Sequence, residues 1–569
     1  MKFVTRDVPP RAAWALEQAG IHPLLARLYA GRGVSDAREL DTGLGHLLSP
    51  TGLKGLEQAA GLLADAIAAQ RRICVVADYD CDGATACAVA LRGLALLGAQ
   101  QLNFIVPDRV VDGYGLTPAI AQRVHDSGAQ LLITVDNGIA SVEGVAHAQQ
   151  LGLQVLVTDH HLPGATLPSA DALVNPNQPG CEFQSKHLAG VGVMFYVLLG
   201  LRAELRARGV FSKATEPRLD GLLPLVALGT VADVVTLDAN NRRLVAQGLQ
   251  RMHRGQLPAG MSALLQVAGR TLAQVNSQDL GFALGPRINA AGRLSDMRLG
   301  IECLRTDDAA LALTLAQQLD DINRERRSLE TGMREQALLI ADALMDTEEE
   351  PPPALCVFDE DFHEGVIGIV AGRLKDLHYR PCFVFAPSES DGQAVLKGSG
   401  RSIAGFHLRD ALDAVVKRHP GLLLRFGGHA MAAGCTLLPD DLPTFETALQ
   451  HIASQWLDAA TLAQSLCTDG SLPASHLRPD VALELQQQVW GQGFAAPVFQ
   501  DKVQVISQRI VGEKHLWLKL KLHDQAIDGI WFNHTTPLPT QAEVAYRLAL
   551  DHWQGQGKLQ LQVQHMRSA

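Results

Sequence analysis

Short apolar runs alternate with segments of helical spacing along the first part of the chain. The runs Ile73–Ala77, Leu131–Val135 and Gln154–Thr158 have the length and the β-branched content of buried strands. Residues 84–97 and 141–150, which lie between these runs, carry apolar side chains at helical intervals. Because strands that alternate with helices form parallel sheets, the pattern predicts an α/β fold with a parallel, doubly wound sheet.

The pattern changes in the middle of the chain. Residues 307–345 are rich in Ala, Leu, Gln, Arg and Glu, which predicts a long helix, and the acidic run 346–350 before three prolines predicts a linker. Strand-like runs at 354–358 and 382–386 flank a helical segment at 366–377. A second α/β domain is therefore expected after the prolines.

The end of the chain has a third pattern. Runs at 503–510, 516–522 and 559–563 alternate apolar and polar residues over the length of short strands. Glycine-containing turns lie in the same stretch. This pattern predicts a small antiparallel β-barrel.

An acidic or histidine-bearing loop directly follows each of the three apolar strands of the first part. These loops are Asp-Tyr-Asp-Cys-Asp-Gly at 78–83, Val-Asp-Asn-Gly at 135–138 and Asp-His-His at 159–161. Ligands of a parallel, doubly wound sheet collect beyond the carboxyl ends of its strands, so the three loops are expected to share one crevice. A single aspartate in such a loop is more often a helix N-cap, but carboxylates this crowded repel one another unless divalent cations hold them together. The joint pattern predicts a metal site.

Asp233 joins this site because it is a lone acid among the apolar residues 222–237. A buried carboxylate costs several kcal/mol unless it is paired or binds a metal. Oxygen ligands with a minority of imidazole favour Mn²⁺ or Mg²⁺ over zinc, and Mn²⁺ if histidine coordinates. Two such ions about 4 Å apart would clamp a phosphate and activate water, so the pattern predicts hydrolysis of a phosphoester.

Composition limits the remaining possibilities. The chain has 569 residues, 47% hydrophobic and 19% charged, which indicates a globular protein of three or four domains. Its nine cysteines lack CxxC spacing, which argues against a disulfide scaffold and a structural zinc site. No signal peptide or apolar run long enough to cross a membrane is visible, so we expect a cytoplasmic protein. The net charge of −11 still permits a local basic channel for nucleic acid.

Eight motifs occur in the order that one known family has. They are VVADYDCDG at 75–83, TVDNG at 134–138, TDHH at 158–161, GTVAD at 229–233, GPRINAAGRL at 285–294, HEGVIGIVAGR at 363–373, GSGRS at 398–402 and GGHAMAAG at 427–434. With them the chain closely resembles, over essentially its whole length, the bacterial RecJ single-strand-specific 5′-to-3′ exonucleases of the DHH phosphoesterase superfamily. The resemblance implies a DHH domain, a DHH-associated domain joined to it by a long helix, and a C-terminal oligonucleotide-binding (OB) fold. The expected boundaries are 1–48 for an N-terminal segment, 49–305 for the DHH domain, 306–350 for the connecting helix and linker, 351–458 for the DHH-associated domain and 467–569 for the OB fold.

The resemblance also implies roles for the metal-site residues. It makes five residues the direct ligands of two Mn²⁺ or Mg²⁺ ions, with Asp136 bridging: Asp80, Asp82, Asp136, His160 and Asp233. Asp78, Asp159 and His161 are expected to support them, with Asp78 a further candidate ligand. The expected catalytic set is Asp82, Asp136, Asp159, His160 and His161. His161 either supports the ligands or contacts the phosphate as a donor or acid, and the sequence leaves both roles open.

Substrate contacts are implied in the same way. The expected substrate-binding residues are Arg287, Asn289, Arg293, His363, Ser399, Arg401, Ser402, Gly428 and His429. Arg401 with the Ser399 hydroxyl suits recognition of a 5′-phosphate. In the OB fold, Lys514, Trp517 and Lys519 are expected to contact the single strand, although alternating Lys and apolar residues also describe any strand with one solvated face.

The family implies the function and the partners. The function is exonucleolytic degradation of single-stranded DNA from its 5′ end, in DNA repair and recombination. The implied partners are single-stranded DNA with a 5′-phosphate, a single-stranded-DNA-binding protein and a DNA helicase, with a monomer as the default state. Two other functions compete: a phosphodiesterase for short oligonucleotides or cyclic dinucleotides, and a non-catalytic replication scaffold. The predicted barrel disfavours the first, and the complete set of ligands disfavours the second.

Overall fold

The chain forms two compact units. The smaller unit comprises Met1–Val4 and Asn323–Leu466, and the larger unit comprises Thr5–Ile322 and Cys467–Ala569. The parallel sheet and the C-terminal barrel therefore belong to one unit. The predicted linker at 346–350 falls largely on residues outside the described ones. The structure, a computed structural model, describes residues 1–109, 112–346, 351–390, 392–458, 461–551 and 557–568.

Among the described residues, strands and helices alternate in 73–174 and 355–456, whereas residues 190–345 form only helices and residues 499–568 form only strands. The strands are β1 (Lys2–Thr5), β2 (Ile73–Ala77), β3 (Leu102–Ile105), β4 (Leu131–Val135), β5 (Gln154–Thr158), β6 (Ala172–Val174), β7 (Leu355–Phe358), β8 (Cys382–Ser390), β9 (Gln393–Arg401), β10 (Arg425–Gly428), β11 (Ala432–Leu437), β12 (Ser465–Thr468), β13 (Phe499–Val511), β14 (His515–Leu522), β15 (Gln525–Trp531), β16 (Gln541–Asp551) and β17 (Lys558–Ser568). The helices are α1 (Pro10–Gln18), α2 (Pro23–Ala30), α3 (Leu56–Ala68), α4 (Cys81–Leu96), α5 (Pro118–Asp126), α6 (Val142–Gln150), α7 (Gly190–Ala207), α8 (Leu223–Ala232), α9 (Ala239–His253), α10 (Ala259–Val267), α11 (Ser277–Asp279), α12 (Gly285–Leu294), α13 (Arg298–Arg305), α14 (Ala309–Met345), α15 (Ile367–His378), α16 (Leu408–Arg418), α17 (Leu442–Trp456) and α18 (Pro479–Gln487).

The first sheet of the larger unit is parallel, in the order β3-β2-β4-β5-β6. Every residue of β2 and β4 is buried, because the sheet is covered on both faces. Val75 and Ile133 pack in a cluster with α4 and α7, whereas Cys74 and Leu132 pack on the other face against α5 and α6. The prediction of a parallel, doubly wound sheet is confirmed. Since the strand order reverses between β2 and β4, the ends of these two strands mark the expected ligand crevice.

The barrel of the larger unit closes in the order β13-β14-β15-β17-β16, the architecture expected of an OB fold. The predicted antiparallel pairing holds at four of its five strand pairs, but β15 and β17 are parallel. Inside the barrel the Tyr546 hydroxyl donates to Oδ2 of Asp501 at 2.8 Å. The Leu472 N–H also donates to Asp501 Oδ2, at 3.2 Å, so this buried carboxylate is satisfied.

The smaller unit contains the residues 351–458 of the second predicted α/β domain. Its sheet runs β10-β11-β9-β8-β7, and only β7 and β8 are parallel. A Cβ at Gly398 would lie 2.3 Å from the Phe385 ring, and one at Gly400 would lie 2.5 Å from the Phe383 ring. These glycines of the Gly-Ser-Gly-Arg-Ser motif therefore make room for core aromatic rings. In neither unit does a described helix have the length and apolar character that crossing a membrane requires.

Candidate metal centre

The loop between β2 and α4 supplies the first carboxylates. Asp80 is the N-cap of α4, and its Oδ1 accepts a hydrogen bond from the Gly83 N–H at 2.9 Å. Asp78 is buried, and the Tyr79 N–H donates to its Oδ1 at 2.6 Å. A Cβ at Gly83 would lie 2.5 Å from the Asp78 carbonyl oxygen, so the tight loop requires glycine. Asp80 both caps the helix and contributes an oxygen to a cluster with Asp78 and Asp136.

Asp82 lies in the first turn of α4 and is fully buried against the N-terminus of α7. The Gly190 N–H donates to Oδ2 at 2.6 Å, and the Val191 N–H donates to Oδ1 at 3.0 Å. N–H groups at a helix N-terminus stabilise a carboxylate. Burial and the charge of Asp80 nevertheless raise the pKa of Asp82 to about 7. A further positive partner is needed to keep this carboxylate fully ionised at neutral pH.

Asp136 directly follows β4. Its backbone has a φ of +63°, in the left-handed region that Asp and Asn enter more readily than most residues. The residue is 1% exposed, and neither carboxylate oxygen accepts a hydrogen bond from the described residues. A buried carboxylate without donors costs several kcal/mol. Asp136 is therefore the clearest sign that this centre holds a cation.

Asp159 organises the Asp-His-His loop that follows β5. Its Oδ1 accepts from the backbone N–H groups of His160 at 2.7 Å and His161 at 3.1 Å, and it lies 2.7 Å from His161 Nδ1. Burial opposes ionisation, but the hydrogen bond with His161 and the charge of both imidazoles lower the pKa of Asp159. Burial also works against the His161 cation, yet Asp159 raises the pKa of His161 to about 9. Asp159 thus holds both histidines in place.

His160 lies among three carboxylates. Its Nε2 is 3.1 Å from Asp136 Oδ1, 3.4 Å from Asp233 Oδ2 and 4.0 Å from Asp82 Oδ2. The Asn177 side chain donates to the His160 carbonyl oxygen at 2.6 Å and fixes the backbone behind the imidazole. The structure therefore brings the ends of β2, β4 and β5 together with the end of α8, as the sequence pattern predicts.

Asp233 is presented by a strained turn. It is the C-cap of α8, and Val234 after it has a φ of +62°, which is unusual for a β-branched residue. Strain of this kind persists only where the surrounding structure enforces it, and it is common at functional sites. Two residues with left-handed backbone conformations, Asp136 and Val234, therefore lie in or next to the centre.

The residues of the centre fit divalent cations. Burial first, and neighbouring carboxylates second, raise the pKa of Asp78, Asp136 and Asp233 well above the usual range. Hard oxygen donors with one or two imidazoles suit Mn²⁺ or Mg²⁺. Three groups have one ligand atom per residue within 4.8 Å of the others: Asp78 with Asp80 and Asp136, Asp82 with His160 and Asp233, and Asp136 with His160 and His161.

Tyr114 is a site residue that sequence reasoning missed. Its hydroxyl lies 3.3 Å from the Asp136 carbonyl oxygen and 3.4 Å from both ring nitrogens of His161. Gly113 and Gly115 on either side have φ values of +78° and +75°. A Gly-Tyr-Gly sequence in a loop was the available signal, because glycines in pairs indicate a backbone bent to present the residue between them.

Helix α12 carries three of the predicted substrate-binding residues. Arg287 is buried, with its Nε 2.8 Å from Asp320 Oδ1. Asn289 accepts a hydrogen bond from the Cys81 N–H at 2.7 Å, so it supports the loop that carries Asp80 and Asp82. Arg293 is half-buried in the last turn of α12. Their contacts with substrate stay predictions.

Ser399 and Arg401 lie together in the smaller unit. Arg401 Nη1 donates to Ser399 Oγ at 3.2 Å and to the Gly400 carbonyl oxygen at 2.8 Å. A Cβ at Gly368, in the first turn of α15, would lie 2.9 Å from both Arg401 Nη2 and Ser399 Oγ. A guanidinium, a hydroxyl and a helix N-terminus therefore converge, and all three favour an anion.

Ser402 and Gly428 have structural contacts. The Ser402 hydroxyl is buried and donates to the Phe406 carbonyl oxygen at 2.6 Å. Gly428 has a φ of +136°, and a Cβ there would lie 2.4 Å from Ala433 Cα, so the hairpin requires glycine. Both residues therefore have a structural role, and their contact with substrate stays a prediction.

His363 and His429 occupy turns of the smaller unit. His363 Nδ1 accepts from the Gly365 N–H at 3.0 Å, just before α15. The His429 N–H donates to the Ala432 carbonyl oxygen at 2.8 Å, in the turn between β10 and β11. These bonds fix the backbone at both histidines, and substrate contact by their imidazoles stays a prediction.

The predicted strand-binding residues of the barrel lie on β14 and the turn before it. Trp517 is opposite Arg509 in the β13–β14 register, and the guanidinium lies 5.1 Å from the centre of the indole. Lys519 Nζ is 2.7 Å from Asp528 Oδ1, whereas Lys514 is exposed in the turn. Trp517, Arg509 and Lys514 thus offer an aromatic face and positive charge, the groups that such barrels use for single strands.

The parallel sheet and its carboxylate–imidazole centre define a phosphoesterase of the DHH class. The model of the DHH family N-terminal domain matches residues 72–230, and the DHHA1 domain matches residues 352–455. The RecJ OB domain matches residues 468–565. The chain belongs to the RecJ family.

Relatives and solved structures agree with this assignment. The single-stranded-DNA-specific exonuclease RecJ of Dickeya dadantii is 46% identical over 553 residues, which is 95% of this chain and 96% of the relative. The RecJ of Escherichia coli is 44% identical over 553 residues, covering 95% of each chain. The crystal structure of RecJ in complex with Mn²⁺ from Thermus thermophilus is similar with a TM-score of 0.83 at 30% identity, covering 100% of this chain and 80% of that one.

Proposed function

We propose that this chain is a single-stranded-DNA-specific exonuclease that hydrolyses phosphodiester bonds from the 5′ end with two Mn²⁺ or Mg²⁺ ions, in DNA repair and recombination. The observation that carries the proposal is Asp136, a buried carboxylate that accepts no hydrogen bond from the described residues and lies beside His160. Relatives that match almost the whole chain are named single-stranded-DNA-specific exonucleases, and RecJ structures contain Mn²⁺ or Mg²⁺.

Five residues would hold the two ions, and three would support them. When bound, such ions supply stabilisation of developing negative charge and a water of lowered pKa. The α7 N-terminus fixes Asp82 through two N–H groups, and Asp159 fixes the loop of both histidines. The proposed ligands are Asp80, Asp82, Asp136, His160 and Asp233, with Asp136 bridging, and the supporting residues are Asp78, Asp159 and His161.

The 5′ polarity is proposed to come from the smaller unit. The guanidinium of Arg401, the hydroxyl of Ser399 and the N-terminus of α15 converge around Gly368. A terminal phosphate carries more negative charge than an internal phosphodiester, so a site of this chemistry prefers a phosphorylated end. Arg287 and Arg293 are proposed to contact phosphates as well.

Family membership alone supports the proposed setting of the enzyme. We propose a single-stranded-DNA-binding protein and a DNA helicase as its partners, a monomeric state and a cytoplasmic location. The barrel, with Lys514, Trp517 and Lys519 on it, supports the exonuclease over a phosphodiesterase for short oligonucleotides, since a dinucleotide needs no such surface. A carboxylate or an imidazole is present at every proposed ligand position, which disfavours a non-catalytic scaffold.

A gel assay tests the proposal. The purified chain is incubated with Mn²⁺ and internally labelled single strands that have a free 5′-phosphate or a blocked 5′ end, and with blunt duplex. Mononucleotides released only from the single strand with the free 5′ end are the expected result. Hydrolysis of dinucleotides without degradation of long strands would instead establish the short-oligonucleotide phosphodiesterase, and no hydrolysis of either substrate would favour the scaffold.

A further inference from the structure

Apolar side chains with unusually high exposure adjoin the metal centre. Phe282 is 80% exposed, the highest value of any large apolar residue in the described chain. Leu162, which follows His161, is 68% exposed, and Val234, which follows Asp233, is 62% exposed. Each of the last two residues is therefore one peptide unit away from a side chain of the centre. A single exposed apolar residue is ordinary, but three that neighbour one centre mark a candidate binding surface.

Phe282 is presented by a single π-helical turn, Leu280–Leu284. Leu280, Ala283 and Leu284 of this turn are buried, so the turn is anchored while Phe282 projects into solvent. Single π-turns of this kind occur frequently at functional sites. The buried residues of the turn therefore fix the backbone that carries the exposed Phe282 ring.

Contacts of the glycines around this turn place it beside Asp233. A Cβ at Gly281 would lie 3.3 Å from Val231 Cγ1, and one at Gly285 would lie 3.2 Å from Ala232 Cβ. Val231 and Ala232 are the last residues of α8, directly before Asp233. The π-turn thus packs against the final turn of α8, whose next residue is a proposed metal ligand.

Helix α12, which continues from the π-turn, packs against the loop after β2 that carries Asp80 and Asp82. A Cβ at Gly292 would lie 2.0 Å from the Tyr79 carbonyl oxygen, and Asn289 accepts a hydrogen bond from the Cys81 N–H at 2.7 Å. The segment from the π-turn through α12 therefore spans from the Asp233 end to the loop after β2. Both contacts hold the segment that carries Phe282 against elements that supply residues of the centre.

We propose that Leu162, Val234 and Phe282 form an apolar rim that contacts the unstacked bases of the substrate strand, with Phe282 stacking on one base. This inference rests on the proposed function. Metal ions and arginines recognise phosphates, which single strands and duplexes share, whereas free base faces exist only in a single strand. Aromatic side chains bind such faces without regard to sequence. The apolar rim thereby adds to the preference for single-stranded DNA at the site of cleavage itself.

The test compares Phe282→Ala and Phe282→Trp with the wild type on two oligonucleotides. One is a normal single strand, and the other has abasic nucleotides at its first positions. Trp14→Ala is the matched control, because Trp14 is 64% exposed on α1 of the same unit. KM and kcat are measured with Mn²⁺, and binding is measured by fluorescence anisotropy with Ca²⁺ in place of Mn²⁺.

Phe282→Ala is expected to raise KM and the dissociation constant of the normal strand about 5- to 150-fold, the range of one lost base stacking contact. On the abasic strand the same variant should bind like the wild type, Phe282→Trp should restore binding to the normal strand, and Trp14→Ala should change neither value. If Phe282→Ala and the wild type bind the normal strand with equal affinity, the proposal that the apolar rim contacts bases is wrong. An equal loss on both strands also overturns it, because that result indicates damage to the metal centre. A wild-type protein that binds strands without degrading them would refute the proposed function, while the binding comparison still decides the rim.

Discussion

A Cβ on Gly190 would lie 2.5 Å from the Cβ of Asp136. The N–H of Gly190 also donates to Asp82 Oδ2 at 2.6 Å. The first residue of α7 therefore touches one carboxylate of the centre and fixes another. Only glycine leaves the space that this double contact requires.

Gly190→Ala is expected to lower kcat at least about 100-fold, because the added methyl group displaces Asp136 or the α7 N-terminus that holds Asp82. The control is Gly192→Ala, whose Cβ would meet only the flexible end of Leu188, at 3.1 Å. Turnover of labelled single strands is measured, with circular dichroism to show that both variants fold. Wild-type turnover by Gly190→Ala would contradict the close packing described above.

Asp136→Asn separates chemistry from stability. Hydrolysis is expected to fall by about three orders of magnitude or more, while binding of single strands changes little, because the barrel and the arginines remain. Without metal, the free energy of unfolding is expected to rise by about 1–3 kcal/mol, since the variant removes a buried carboxyl group whose ionisation burial and the neighbouring carboxylates oppose. Asparagine tolerates the φ of +63° at this position.

Urea unfolding in EDTA and anisotropy with labelled strands measure the two effects of Asp136→Asn. Asp65→Asn is the control, because Asp65 forms an exposed ion pair with Arg208. Retained Mn²⁺-dependent hydrolysis by Asp136→Asn would refute the ligand assignment.

Stabilisation by Mn²⁺ is expected to grow with pH. In the metal-free protein, burial and the charge of Asp80 raise the pKa of Asp82 from 3.8 to about 7. A carboxyl whose folded-state pKa is raised contributes stability below its unfolded pKa, and this contribution is lost as pH rises through the folded value. The metal-free centre should therefore lose stability between about pH 4 and pH 7, and cations that pair with the ionised carboxylates should restore it.

The measurement is the melting temperature in EDTA and in Mn²⁺ at pH 5 and pH 8. We expect a small shift at pH 5 and a shift of several degrees at pH 8. A Mn²⁺ shift that is the same at both pH values would contradict this account of the centre.

Asn289→Ala tests whether Asn289 supports the metal loop or contacts DNA. The hydrogen bond from Cys81 favours support, so we expect the Mn²⁺ concentration for half-maximal activity to rise about 10- to 100-fold while KM for the strand stays unchanged. A Mn²⁺ titration at saturating DNA, repeated with Gln278→Ala as an exposed control, gives the answer. A raised KM with unchanged Mn²⁺ demand would favour the substrate contact instead.

Arg401→Ala is expected to reduce the preference for a 5′-phosphorylated strand over a 5′-hydroxyl strand by about 10- to 100-fold, the worth of charge-assisted hydrogen bonds to a phosphate. The ratio of kcat/KM for the two strands is the measurement. Arg409→Ala, at an exposed position of the same unit, should leave the ratio unchanged. An unaltered ratio in Arg401→Ala would remove Arg401 from the proposed phosphate site.

Local pattern in the sequence determined the strands and the loops of the metal centre. The predicted bounds of β2, β4 and β5 are the observed ones, because each is a short, mainly apolar run that a polar loop follows. The rule that ligands collect beyond the ends of parallel strands then placed Asp80, Asp136 and His160 together. The predicted helix at 84–97 begins earlier, at Cys81, because Asp80 caps it.

Only the tertiary structure decided which distant residues complete the centre. Gly190 is 108 positions from Asp82, and Asn289 is 208 positions from Cys81, so no local periodicity relates them. The parallel pairing of β15 with β17 is likewise a property of barrel closure. Short-range pattern reflects which face of an element is buried, whereas the identity of the neighbour depends on how whole elements pack. The sequence therefore determined the ligand types and their loops, and the packing of α7, α8 and α12 decided how those ligands are held.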